Sequence, residues 1–130
     1  MPIKTKRWDD PRETNDGFRL LVCRYRPRGL PKTKETWDAW DKHLGPSPEL
    51  LAEWHARKKS NAPMPWSDYR RRYVSEMKAE VARIHDLALR AATGETITLL
   101  CSSACMDETH CHRSLLRALI EKNVSRGARA

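Results

Sequence analysis

The chain has 130 residues, 39% of them hydrophobic and 32% charged, which describes a globular protein long enough to close a core as one domain. No apolar run approaches the ~18 residues that cross a bilayer, and the start Met1-Pro2-Ile3-Lys4 lacks the apolar stretch of a secretory signal, so a cytoplasmic protein with no membrane partner is expected. A formal charge of +8 points towards anionic partners, and four cysteines are too few for a disulfide scaffold.

Residues 3–8 alternate as a short strand, stopped by Asp9-Asp10-Pro11, and Asn15-Asp16-Gly17 is a turn signal. Residues 18–23 are apolar almost throughout, as in a parallel strand buried on both faces. Residues 24–31 carry Pro27, Gly29 and Pro31 and read as a loop. Thr33 is placed to cap a short helix over 34–43, with Trp37 and Trp40 on one side, and Gly45-Pro46 ends it. Ser47-Pro48-Glu49 opens the next helix, with cap, proline and acid in their preferred places, and Leu50, Leu51 and Trp54 turn inward. Residues 58–65 break it.

The longest helix is predicted from about Ser67 to Ala92, on a stripe of Tyr69, Tyr73, Met77, Val81, Ile84 and Ala88, with Gly94 as its stop. A third strand spans 96–101. A last helix spans 108–123, with Leu115, Leu116, Leu119 and Ile120 as its apolar face. The pattern predicts a small three-layer, Rossmann-like α/β domain over 1–124, with a frayed tail at 125–130. Its sheet is mostly parallel, of three or four strands, with helices on both faces.

The chain resembles the domain-of-unknown-function-488 family, the YeaO-like proteins, over nearly its full length. The residues that carry the likeness begin with Ile3-Lys4-Thr5-Lys6-Arg7, Asp10-Pro11 and Asp16-Gly17-Phe18-Arg19-Leu20-Leu21-Val22. Pro27-Arg28-Gly29-Leu30, Trp40-Asp41 and Leu44-Gly45-Pro46-Ser47-Pro48-Glu49-Leu50 follow. Tyr69-Arg70-Arg71-Arg72-Tyr73, Thr98-Leu99-Leu100-Cys101 and Cys111-His112-Arg113 complete them. Where the family usually reads Val-Asp-Arg-Leu-Trp-Pro-Arg-Gly, residues 22–29 put Cys23 and Arg26 in place of the Asp and the Trp. The resemblance implies a small α/β fold and brings no established activity with it.

Chemistry-bearing residues concentrate at one place. Three of the four cysteines and two of the five histidines fall between Cys101 and His112, where a strand ends and a helix begins. Open parallel sheets bind ligands at the carboxyl ends of their strands. That rule brings Arg24, Arg26 and Arg28 towards Cys101, Ser102, Ser103 and Arg113, a candidate pocket for an anionic, phosphate- or nucleotide-like metabolite. The competing reading pairs these arginines with Asp9, Asp10 and Asp16, or leaves them in water.

Cys111 and His112 are the catalytic candidates. His112 faces inward, as a general acid or base or as a core histidine on a backbone carbonyl. Cys111 sits in the first helical turn, about 100° away around the axis, where the helix dipole favours a reactive thiolate. Inert packing is the competing reading for Cys101 and Cys111.

Cys101, Cys105, Cys111 and His110 or His112 are ligand types that suit Zn²⁺. There is no Cys-x₂-Cys knuckle, however, and three successive helical residues cannot face one ion, so no metal is expected. No phosphatase-type Cys-to-Arg loop starts at Cys101 or Cys105, which lead six residues on to Asp107 and Cys111; no Gly-x-Gly-x-x-Gly or Walker pattern occurs, and no cofactor is expected. The five tryptophans are of a type that stacks on bases, but periodicity favours core for Trp37, Trp40 and Trp54, and Arg70-Arg71-Arg72 reads as a solvated face rather than a phosphate-contacting patch.

Two functions follow. One is a small enzyme or binding protein for an anionic metabolite. The other is a nucleic-acid-binding module that uses the basic surface without catalysis, with weak, sequence-blind affinity. The sequence says nothing of oligomeric state.

Overall fold

The computed structural model describes residues 3–102 and 108–129. Four strands, β1 (Ile3–Arg7), β2 (Phe18–Leu21), β3 (Ala39–Trp40) and β4 (Ile97–Cys101), form one all-parallel sheet in the order β1-β4-β2-β3. Among the described residues four α-helices accompany it: α1 (Pro48–Lys58), α2 (Trp66–Met77), α3 (Val81–Ala92) and α4 (His112–Arg129). The chain therefore has the α/β class and parallel sheet expected of it.

Strand alternation sorts the core. Ile3, Leu20, Val22, Ile97 and Leu99 share one face and meet Leu50, Tyr73, Ile84, Leu116 and Ile120, so all four helices contribute to this cluster. Burying each large apolar side chain there contributes roughly 1.5–3 kcal/mol. Leu21 and Leu100 lie in a second, smaller cluster with Cys23, Cys101 and Cys111, against which Trp8 and Trp37 pack. The connections 8–17 and 22–38, with a 3-10 turn at Lys32–Lys34, supply the contacts of that second side.

That side also holds a buried polar network. The Asp16 carboxylate, fully buried, accepts hydrogen bonds from Lys4 at 2.7 Å, Lys6 at 3.0 Å and Arg19 at 2.8 Å, and from the Glu13 N–H at 3.0 Å. Burial alone would raise its pKa, but these donors outweigh burial and hold the carboxyl far below the usual carboxylate range. Gly17 turns the chain from this network into β2 with φ +63°, and a Cβ there would meet the Thr96 carbonyl oxygen at 2.3 Å.

Ser47 caps α1 as expected, its hydroxyl accepting the Leu50 N–H at 3.1 Å. Two helix predictions are corrected. Residues 34–43 are not a helix. The Asp38 and Asp41 N–H groups donate to the Arg19 and Leu21 carbonyls, and β3 lengthens the sheet instead. Tertiary pairing outweighs local propensity there. Trp37 and Trp40 consequently diverge, Trp37 to the second core cluster and Trp40 to a hydrogen bond from Nε1 to the Cys23 carbonyl.

The predicted long helix is two helices. A 3-10 turn at Lys78–Glu80 separates α2 from α3. Met77 and Ile84 stay buried while Val81, predicted inside, is 60% exposed.

Candidate functional site

β2 and β4 are adjacent, with Leu21 opposite Leu100, so the segments that follow them leave the sheet side by side. They then part. The chain after β2 leads to β3 on one flank, while β4 leads to α4, which packs against β1 on the other. This divergence opens the crevice that parallel α/β sheets use for ligands.

A cavity of about 730 Å³ occupies it. Arg24, Arg26, Arg28 and Lys58 line it, with Trp8, Tyr25 and Trp54 as aromatic walls and Cys101, Ser102, Cys111 and His112 at its floor. Cys23 lines it too. Seven of the expected site residues, Arg24, Arg26, Arg28, Cys101, Ser102, Cys111 and His112, thus share one cavity. Arg113 does not line it. Its side chain is only 5% exposed, and its Nε and Nη1 find no hydrogen-bond partner among the described residues. Ser103 and Cys105 lie outside the described residues.

The arginines do not take Asp9, Asp10 or Asp16. Arg24 donates to the Pro46 carbonyl at 3.0 Å, which braces the loop against the start of α1. Arg26 pairs with Glu35 at 2.7 Å and lies over the Trp37 ring, while its Nη2 is buried without a partner among the described residues. Arg28 is exposed at the rim. Lys58 sits over the Trp54 ring, 5.3 Å from its centre. On the outer surface Arg71 pairs with Asp68 and Arg72 with Glu53, so this basic run is partly neutralised.

At the floor, Cys101 closes β4 and is 1% exposed. Its Sγ lies 3.2 Å from Cys111 Sγ and 3.8 Å from His112 Nδ1. His112 Nε2 lies 2.8 Å from the Val22 carbonyl oxygen. A carbonyl only accepts, so Nε2 carries the proton and Nδ1 turns its lone pair towards the sulfur. Behind the imidazole stands Tyr73, with ring centres 5.6 Å apart, whose hydroxyl donates to the Leu44 carbonyl at 2.7 Å. Burial pushes the Tyr73 hydroxyl well above its ordinary pKa, so it stays a neutral donor.

Two details correct the sequence reading. Helix α4 starts at His112, so Cys111 precedes the first turn; its carbonyl accepts the Ser114 N–H at 3.1 Å. Cys111 is therefore freed from helical spacing, lies 2% exposed, and turns to the same point as His112 rather than 100° away. The thiol facing the imidazole nitrogen is Cys101, which the sequence reading had assigned to ligand binding rather than to the chemistry. Its position at the last residue of the central strand was the available signal.

Fold and crevice define a small parallel α/β protein with a buried thiol–imidazole centre beneath a basic cavity. Its sequence matches the family described as the Active DUF488-N3 subclade (DUF488-N3a) over residues 3–124. It is also 34% identical over 113 residues to the uncharacterized protein YeaO of Escherichia coli K12, a match covering 85% of this chain and 90% of that protein. The chain belongs to the DUF488 family, among the YeaO-like proteins. No solved structure matches it significantly. Among the described residues no helix is long and apolar enough to cross a membrane.

Proposed function

We propose that this protein binds an anionic, phosphate- or nucleotide-like small molecule in the crevice cavity and acts on it, or holds it, at the Cys101–Cys111–His112 floor. The observation that carries this reading is the convergence of Arg24, Arg26, Arg28 and Lys58 on one concave, aromatic-walled space above two thiols and an imidazole. Arg26 contributes a buried donor without a partner among the described residues and Arg28 an exposed guanidinium, both suited to an oxyanion. Trp8, Tyr25 and Trp54 offer flat apolar surface to a base or a comparable ring.

Calorimetric titration with inorganic phosphate and with nucleoside monophosphates tests it. Binding is expected, weakened about 10- to 100-fold in Arg28→Ala, the loss of one or two charge-assisted hydrogen bonds. Absence of binding at millimolar ligand, or binding indifferent to both Arg28→Ala and Lys58→Ala, overturns the reading.

A further inference from the structure

We propose that Cys101 Sγ, Cys111 Sγ and His112 Nδ1 form a three-ligand site for a thiophilic divalent cation, Zn²⁺ foremost, with a fourth position open to the cavity. The three donor atoms all lie within 4.8 Å of one another. A tetrahedral ion at the usual Zn–S and Zn–N lengths asks for donor separations of about 3.6–3.8 Å. The observed 3.8 Å from sulfur to nitrogen matches, and the 3.2 Å between sulfurs needs only a small opening of two side chains. Neither cysteine forms a disulfide among the described residues.

Two thiols and an imidazole are the donor set that selects zinc over calcium or magnesium. The Val22 carbonyl on His112 Nε2 does what such a carbonyl does beside zinc-bound histidines. It fixes the tautomer that leaves Nδ1 to the ion and holds the ring plane. Binding displaces two protons, one from each thiol, to solvent. Two thiolates, a neutral imidazole and a dication sum to zero charge, so the buried site carries no net ionic cost.

The objection drawn from spacing concerned three successive helical residues. The geometry uses a different set, one residue from the end of β4, one just before α4 and the first residue of α4. With three protein ligands, the fourth position belongs to water or to an incoming group, as in zinc sites that do chemistry. Its facing Ser102 and the arginine wall deepens the anion-site reading. The metal itself does not depend on that reading.

The test uses the full chain, kept reduced and stripped of metal, titrated with Co²⁺ alone and no anion. We expect one Co²⁺ per chain, with tetrahedral visible bands and a thiolate charge-transfer band, both lost when Zn²⁺ is added. Cys101→Ser and Cys111→Ser each weaken Co²⁺ binding by more than about 100-fold, beyond what supporting residues around metal sites cost. His85→Ala, on the exposed side of α3, leaves it unchanged. For variants that do not fold, the wild type supplies the answer: Zn²⁺ protects Cys101 and Cys111 from alkylation while Cys23 labels as before. Absence of charge transfer, charge transfer that survives in Cys101→Ser, or alkylation of Cys101 and Cys111 unaffected by Zn²⁺ overturns the proposal. Co²⁺ binding without phosphate binding keeps the metal site and removes the anion site; the reverse result does the opposite.

Discussion

Two buried polar regions flank the same central strands and are built on opposite plans. On the Asp16 side a carboxylate with no exposure takes four donors, from Lys4, Lys6, Arg19 and the Glu13 N–H. On the carboxyl edge, two thiols and an imidazole turn towards a common point beneath a cavity, and the buried Arg113 has two donor atoms without partners among the described residues. The first region resembles a fastener, with its charge compensated inside the protein. The second gathers soft, neutral groups where the sheet opens onto a cavity. Opposite charges closed on one another, against neutral donors beside an open space, separate a cluster that stabilises the fold from one placed to meet a ligand.

The largest expected break of this contrast is Asp16→Asn. It leaves three cations around a neutral amide and is expected to cost about 3–5 kcal/mol, read from denaturant unfolding, with Co²⁺ binding by the folded fraction unchanged. The same group sets an acid response. Its folded pKa is depressed, so its stabilisation is fully present above the unfolded value of 3.8 and is lost as pH falls below it. Thermal unfolding followed from pH 5 to 2 is expected to show a loss in wild type that begins as pH falls through 3.8 and steepens below it, and a shallower one in Asp16→Asn.

Arg113→Met comes next, with the opposite sign. Replacing a buried guanidinium, two of whose nitrogens have no hydrogen-bond partner among the described residues, by an apolar chain of similar volume is expected to leave stability unchanged or raise it by about 1–4 kcal/mol. A loss of several kcal/mol would place Arg113 with the fastened region instead. Tyr73→Phe is smaller. It strands the Leu44 carbonyl behind the site and is expected to cost about 1–3 kcal/mol in chemical unfolding. Least of all, Arg28→Ala at the cavity rim is expected to move stability by no more than about 0.5 kcal/mol, while weakening phosphate binding as above. A variant that loses binding and stability together would erase the distinction between the regions.

Much of this protein was legible in its residues. Ser47-Pro48-Glu49 marked a helix start, Asn15-Asp16-Gly17 a turn, and the apolar stretches at 18–23 and 96–101 parallel strands, because caps, turns and periodicity act over a few residues. The strand-to-helix step at Cys101–Arg113 also identified where the site would lie, since the ends of parallel strands must open onto a crevice. Residues 34–43 were misread because their helical spacing competed with backbone partners on β2 that no local pattern announces. Val81 was misread because it is the first residue after a 3-10 turn that interrupts the helix, while Ile84 and Ala88 beyond it keep to the expected stripe.

The sequence by itself determined the class of fold, the family and the edge of the sheet on which thiols, imidazole and arginines gather. Only the tertiary structure decided which of them meet. The order β1-β4-β2-β3 puts the Val22 carbonyl against His112, ninety residues away, and that single contact orients the imidazole towards Cys101. The start of α4 at His112 releases Cys111 from helical periodicity, and Lys4 and Lys6 of β1 with Arg19 of β2 take the Asp16 carboxylate in place of the arginines of residues 24–28. Spacing along a chain bounds which side chains can share a face. Hydrogen bonds and packing between distant segments select the few that share a point.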